Sequence, residues 1–218
     1  MDLRIEKIST AIIDTLSPKG IIARNDSPSR IAEGLDQETI ILTGGTPDIF
    51  HLTHINTSFT IDLLTGQKTG LYLDQLDNYK KVSQFAPDKI VLDCFTNQGG
   101  FALSCSLNGA NSVTAIDISD KAIQTAQNNA HKSGAKQIEW LQANVFDELK
   151  TYDSEGRNFD LIILDPPSFT RNKKSLSDAM RGYKEIHLRS LKLLNPGGIL
   201  VTFTCSHHVS NRAFLDMI

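Results

Sequence analysis

The residues of this chain whose types and spacing could do chemistry are few and widely separated. Cys205 stands between two hydroxyls in "TFTCSHH", where an apolar run gives way to polar residues. Three readings of it stand side by side: a buried core thiol, a metal ligand together with His207 and His208, or a nucleophile. Asp165 ends the apolar run "LIIL" and precedes two prolines. Desolvating a carboxylate there is costly, and paired prolines, with fixed φ and no N–H, make a stiff turn. Such a turn would hold Asp165 at the lip of a cleft, facing a planar base edge or an exocyclic amine. Asp93 ends another apolar run, ahead of the pair Gly99-Gly100. Glycines let backbone N–H groups approach a ligand, and a helix N-terminus favours a carboxylate or phosphate. The spacing is not G-x-G-x-x-G, so a dinucleotide is only weakly indicated. Asp117 ends the next apolar run, where an acid suits the two hydroxyls of a ribose. Together with the "DPP" turn it points to a nucleoside-type ligand.

The elements that must position these residues are legible from Lys89 onward, where strands alternate with amphipathic helices. "KIVLDCF", "SVTAIDIS", "IEWLQ", "FDLIILDPP" and "GILVTFTCS" read as strands. "GGFALSCSLNGA", "SDKAIQTAQNNAHKSG", "NVFDELKTY" and "SLSDAMRGYKEIHLRSLKLLNPGG" read as helices, the second with Ser119 as N-cap and Gly134 as C′. This alternation predicts an α/β fold, a parallel sheet with helices on both faces, whose ligands sit beyond the carboxyl ends of the strands. Asp93, Asp117, Asn144, Asp165 and Cys205 all fall at such ends.

The first third is mixed. Residues 2–16 have apolar positions near helical period, and "KGIIARND" and "ETIILTGG" read as short strands. "HLTHINTSFTIDLLTGQKTGLYLDQ" alternates and turns at Asn56-Thr57 and Thr65-Gly66, which predicts a β-meander, and "LDNYKKVSQF" a helix. Three segments result: a small α+β auxiliary segment over 1–56, a hairpin and linker helix over 57–84, and the main domain over 85–218.

With 40% hydrophobic and 22% charged residues and a net charge of −3, the chain does not hold nucleic acid by bulk charge. There is no apolar run of about 18 residues, and no membrane span is expected. The N-terminus "MDLRIEKIST" is charged where a signal peptide is apolar. Three cysteines make no disulfide framework, so reduced thiols and a cytoplasmic location are expected. His51, His54, His131 and His187 are scattered without ligand spacing, and no metal is expected.

"LDCFTNQGGF", "AIDIS", "DPPSF", "RGYKEI" and "GGILVTFTCS", in that order, resemble a class I S-adenosylmethionine-dependent methyltransferase with a Rossmann-like domain. More narrowly, they resemble the bacterial large-subunit ribosomal RNA cytosine-C5 methyltransferases, from about Thr57 to the C-terminus. The resemblance implies S-adenosylmethionine as cofactor and ribosomal RNA as partner. Asp93, Phe95, Gly99 and Gly100 would line the methionine end, Asp117 would hold the ribose, Asn144-Val145 would face the adenine, and Tyr72 and Gln75 would close the site. Family members often carry Asp at the position of Asn144 and Arg at that of Leu76. The resemblance also implies a Cys205 thiolate that adds to C6 of cytosine, with Asp165 near N3. Cys105 and Cys94 are read as structural. Arg171, Lys173, Lys174, Arg181 and Lys184 would hold phosphates, with Phe169 or Tyr183 stacking on a base. The competing readings are a methyltransferase acting on guanine or an exocyclic amine, which needs no thiol, and a non-catalytic RNA-binding or assembly factor. Family members commonly begin with a small RNA-binding domain and continue past the fifth strand. Only "NRAFLDMI" follows it here, so a fragment is expected, with an open sheet edge that offers a route to a homodimer.

Overall fold

The computed structural model describes residues 2–45, 49–66, 70–170, 176–206 and 209–218. The chain forms two compact units, one of Met1–Leu52 with Thr60–Tyr72, the other of Thr53–Phe59 with Leu73–Ile218.

The amphipathic α1 (Ile5–Leu16) stops at Ser17, which turns left-handed at φ 44°. β1 (Gly20–Asn25) then pairs antiparallel with β2 (Glu38–Gly44), with the one-turn α2 (Ser29–Ala32) between them. β3 (Ile49–His54) and β4 (Thr57–Asp62) form a second two-stranded sheet. In β4, Thr57, Phe59 and Ile61 are buried and their neighbours half-buried, the period-2 pattern of a strand with one covered face. Thr57 is therefore the first residue of the strand, and the turn expected at Asn56-Thr57 lies one residue earlier, with Ile55 left-handed at φ 55°. The expected meander has no third strand among the described residues. Leu73–Gln75 is a 3₁₀ turn that leads into α3 (Leu76–Ser83).

The second unit continues with β5 (Ile90–Cys94), α4 (Gly100–Leu107), β6 (Ser112–Asp117), α5 (Asp120–Ser133), β7 (Ile138–Gln142), α6 (Val145–Glu155), β8 (Phe159–Leu164), α7 (Leu176–Leu193), β9 (Leu194–Thr202) and α8 (Asn211–Met217). The five strands form one parallel sheet in the order β7-β6-β5-β8-β9. β5 and β8 lie at its centre, which explains their unbroken apolar runs: both faces are covered. Leu92, Cys94, Ile162 and Leu164 pack with α6, α7 and α8, while the alternate residues of β5 face the other way, toward α4. Each fully buried aliphatic side chain of these strands contributes about 1.5–3 kcal/mol. Ser119 caps α5 by accepting from the Ala122 N–H, and Gly134 closes it at φ 71°, as the sequence predicts. α6 runs beyond the expected "NVFDELKTY" to Glu155, where Gly156 supplies the left-handed residue that ends it.

β9 departs from expectation at both ends. It starts at Leu194, directly after α7, and ends at Thr202, so Phe203–Ser206 lie beyond the strand. Pro196-Gly197-Gly198, which read as a helix stop, sit inside a register irregularity where Phe159 pairs Leu194 but Leu161 pairs Ile199. Asp160 pins this region: its carboxylate accepts from Asn195 Nδ2 at 2.8 Å and from the Ile90 N–H at 2.9 Å. No helix among the described residues is long and apolar enough to cross a membrane.

Candidate active site

Beyond β5 the chain makes a strained loop. Phe95, Asn97 and Gly99 have φ of 65°, 49° and 83°, and a bulky residue such as Phe95 rarely accepts that conformation. Asp93 holds the loop from within. Its Oδ2 accepts from Thr96 Oγ1 at 2.6 Å and from the Ala102 N–H at 3.0 Å. The second bond reaches the first turn of α4 and replaces the cap that Gly99 has no side chain to make. Asp93 is fully buried, so it structures the loop and does not itself line an open surface. Burial pushes its carboxyl up to about 7, against the pull of its two hydrogen bonds, and the charges of Asp165 and Asp117 add to the rise. Oδ1 is buried without a hydrogen-bond partner among the described residues.

That placement predicts an unusual pH dependence. An ordinary carboxyl titrates near 3.8, so between about pH 4 and 7 the folded state holds a proton here that the unfolded chain has lost. The stability this contributes is complete below about pH 4 and disappears as the pH rises through about 7, by up to about 1.4 kcal/mol per pH unit. Denaturant titrations at pH 5 and pH 8 should show the loss in the wild type and a smaller one in Asp93→Asn. Equal slopes would mean that Asp93 ionises normally.

The two glycines of the loop have packing reasons for being glycine. A Cβ on Gly99 would lie 2.9 Å from the Trp140 ring, and one on Gly100 would lie 2.2 Å from Tyr79 Cζ. Asp117, half-buried at the end of β6, accepts from the Asn97 N–H and the Ser119 N–H, both at 2.9 Å, which ties the second strand end to the loop of the first. Ile118 beside it is 69% exposed, an apolar side chain at a strand end that the sequence reading passed over; its position after the acid in "AIDIS" is the signal that could have found it. Asn144 is exposed and caps α6, its Oδ1 accepting from the Phe146 N–H at 2.9 Å. The amide oxygen thus holds the first turn of the helix with one of its two lone pairs. Val145 is 3% exposed, its side chain in the core, so it can offer a ligand only backbone. Tyr72 belongs to the first unit.

On the other side, Asp165 directly follows β8, and Cys205 lies three residues beyond the end of its neighbour β9. Cys205 is exposed, with Sγ 3.8 Å from the Pro166 carbonyl oxygen. Cys94 and Cys105 are buried and burial pushes both thiols up, in keeping with structural roles. Gln75, expected to close the cofactor site, donates its Nε2 to Asp165 Oδ2 at 2.9 Å. Asn78, which the sequence reading missed, donates to Gln75 Oε1 at 2.7 Å and so fixes which end of that amide meets the carboxylate.

Tyr183 is fully buried and cannot stack on a base; its ring packs against Phe169 at 4.6 Å and Phe214 at 5.7 Å. Phe169 is half-buried, in ring contact with Phe95 and Phe146 as well. Arg181 and Lys184 are exposed on α7, with Arg181 paired to Asp178. Arg171, Lys173, Lys174, His207 and His208 lie outside the described residues. Among the described residues no three His, Cys, Asp or Glu side chains are placed to hold a metal ion.

The profile of the family described as S-adenosylmethionine-dependent methyltransferase matches residues 34–216. The chain belongs to that family. This family member is 39% identical over 207 residues to ribosomal RNA large subunit methyltransferase I of Pseudoalteromonas atlantica, covering 94% of this chain and 52% of that protein. It is 40% identical over 201 residues to the protein of the same name from Shewanella denitrificans, covering 91% and 51%. The chain thus spans about half the length of the curated relatives it matches. Its fold is that of a methyltransferase crystallised with SAH, with a TM-score of 0.84 at 22% identity over 100% of this chain and 56% of the other. A SAM-dependent methyltransferase from Streptococcus mutans gives 0.81 at 20% identity over 100% and 55%.

The site suits the family's cofactor on its own chemistry. Asp117 stands half-buried at the end of β6 with each carboxylate oxygen accepting one backbone N–H, which leaves acceptor capacity for a pair of hydroxyls, and the exposed apolar side chain of Ile118 follows it.

Proposed function

We propose that this methyltransferase transfers a methyl group to C5 of a cytosine in ribosomal RNA through a covalent adduct of Cys205, with residues 85–218 as the catalytic domain. The observation that carries the reading is the exposed thiol of Cys205 near the carbonyl of Pro166, the residue after Asp165, beyond the ends of adjacent strands. The names of the relatives support ribosomal RNA as the substrate class.

S-adenosylmethionine, when bound, supplies a methyl group on a sulfonium. Asp117 has two oxygens that each accept only one backbone N–H, leaving lone pairs for the two ribose hydroxyls. Ile118 offers an apolar surface to the adenine, and the Asn144 NH₂ group and the Val145 backbone its edge. Phe95, Gly99 and Gly100 shape the loop at the methionine end, with Asp93 supporting it from inside. Asp165, oriented by Gln75, binds the N3 edge of the target cytosine. The Cys205 thiolate would add to C6, and the electron pair released toward C5 would make that carbon nucleophilic enough to take the methyl group as its bond to the sulfonium sulfur breaks and a neutral thioether leaves. A base then removes the C5 proton, the C5–C6 double bond re-forms, and the thiolate leaves. Arg181 and Lys184, with Arg171, Lys173 and Lys174, hold phosphates of an RNA whose target nucleotide is unstacked.

Nucleoside mass spectrometry of ribosomal RNA from cells with and without the gene tests this. The expected result is loss of 5-methylcytidine. Loss of a methylated guanosine or of an N-methylated base instead would return Cys205 to a structural role.

A further inference from the structure

Cys205 is bracketed by Thr204 and Ser206, and both hydroxyls meet the same partner. Thr204 Oγ1 donates to Tyr183 Oη at 3.0 Å, and Tyr183 Oη lies 2.8 Å from Ser206 Oγ. Ser206 Oγ is also 2.9 Å from Ser168 Oγ, which donates to the Thr170 carbonyl at 2.7 Å. A hydroxyl has one proton to give, and a carbonyl can only accept, so the last bond fixes the direction of all the others. Ser168 spends its proton on Thr170, Ser206 therefore donates to Ser168, Tyr183 to Ser206, and Thr204 to Tyr183. Four hydroxyls thus form a one-way chain from the segment that carries the thiol to the loop that follows Asp165.

The same helix grips the end of β9. His187 Nδ1 is 2.6 Å from the Tyr183 carbonyl, and its Nε2 is 2.8 Å from Thr202 Oγ1. The carbonyl requires N–H at Nδ1, so Nε2 accepts from Thr202. Burial lowers the His187 pKa and favours the neutral ring this arrangement uses.

We propose that Tyr183 is a positioning residue for Cys205: its hydroxyl locks the residues on both sides of the thiol and joins them to the Ser168–Thr170 loop, so that thiol and carboxylate meet a target base as one rigid unit. The chain is not a proton wire. It ends on a carbonyl that has no proton to pass on, so a proton cannot be relayed along it. It acts through geometry, which matters because a displacement of about 1 Å at reacting atoms can cost on the order of 10²-fold in rate. The inference rests on the proposed role of Cys205 as nucleophile.

Tyr183→Phe tests it, because the ring keeps its contacts with Phe169 and Phe214 while the centre of the chain is removed. With ribosomal RNA from cells lacking the gene as substrate, kcat should fall on the order of 10²-fold, with the dissociation constant for S-adenosylmethionine and the melting temperature nearly unchanged. Thr204→Val should reproduce the loss and Thr204→Ser should recover it. Cys205 is the exposed thiol among the three, so its rate of alkylation by iodoacetamide gives a readout independent of catalysis, and Tyr183→Phe should raise it severalfold by freeing the segment. Unchanged kcat and alkylation would overturn the proposal, as would a parallel loss of cofactor binding and melting temperature, which marks a merely structural role. If Cys205→Ala retains methyl transfer, it is the nucleophile reading that fails, and the alkylation rate alone then decides whether Tyr183 sets the thiol.

Discussion

Cys205→Ala is expected to abolish 5-methylcytidine formation while leaving the protein folded and able to bind its cofactor. Without the adduct at C6, C5 of cytosine has no route to sufficient nucleophilicity, and no second group of the site can replace the thiol: Cys94 and Cys105 are sealed in the core. The loss should be on the order of 10⁴-fold or more, about 5 kcal/mol of transition-state stabilisation. Cys205 is exposed, and the contact its side chain makes among the described residues is a long one, to the Pro166 carbonyl. Its removal should therefore change stability by no more than about 0.5 kcal/mol. Single-turnover methyl transfer to ribosomal RNA and isothermal titration with S-adenosylmethionine measure the two halves of this expectation. Retention of methyl transfer would eliminate the covalent route.

Gly100→Ala should act in the opposite way, through the fold. The added methyl would stand 2.2 Å from Tyr79 Cζ and 2.6 Å from both Cε atoms. The ring cannot swing away, because it is 7% exposed and held between Phe59, 5.9 Å distant, and Phe101, 4.7 Å distant. Forcing a methyl into such a place costs about 3 kcal/mol, a fall in melting temperature on the order of 10 °C for a unit of this size. Thermal denaturation followed by circular dichroism reads it directly, and an unchanged melting temperature would show that α3 and α4 can separate there. Gly134 makes the contrast: its Cβ direction is open, and only its φ of 71° resists substitution.

The alternation of strands and helices from Lys89 onward was legible because buried runs, amphipathic periods and end signals agreed; Ser119 and Gly134 mark the two ends of α5 where expected. What was less legible is which atoms are already engaged. Asn144 falls at a strand end as expected, but its amide oxygen closes a helix. Asp93 falls there too, yet its carboxylate is spent inside the loop. Gly99 and Gly100 looked like concessions to a ligand, and the rings of Trp140 and Tyr79 occupy the space in question. Tyr183 offered an aromatic ring near a basic run, but the 3.6-residue period of α7 turns it inward with Ile186 and His187. Such facts depend on partners distant in sequence: Gln75 meets Asp165 across 90 positions, and nothing in either neighbourhood announces it. The start of β9 was missed because Pro-Gly-Gly breaks ordinary strands, whereas here the irregular register absorbs it.

The order β7-β6-β5-β8-β9 has a consequence for how such a protein can change. On the proposed roles, the ends of β5, β6 and β7 serve the methyl donor, and the ends of β8 and β9 serve the acceptor. The seam between those duties is the pair β5–β8, and it coincides with a cut in the chain: nearly all of the site residues before Gly156 belong to one reactant and those after it to the other. A lineage could therefore exchange its target by rewriting the last two strand ends and the helix that joins them, while inheriting the donor half intact. Gln75 and Asn78 are the exception, early residues recruited across the seam to hold Asp165, and they are where such an exchange would leave its trace.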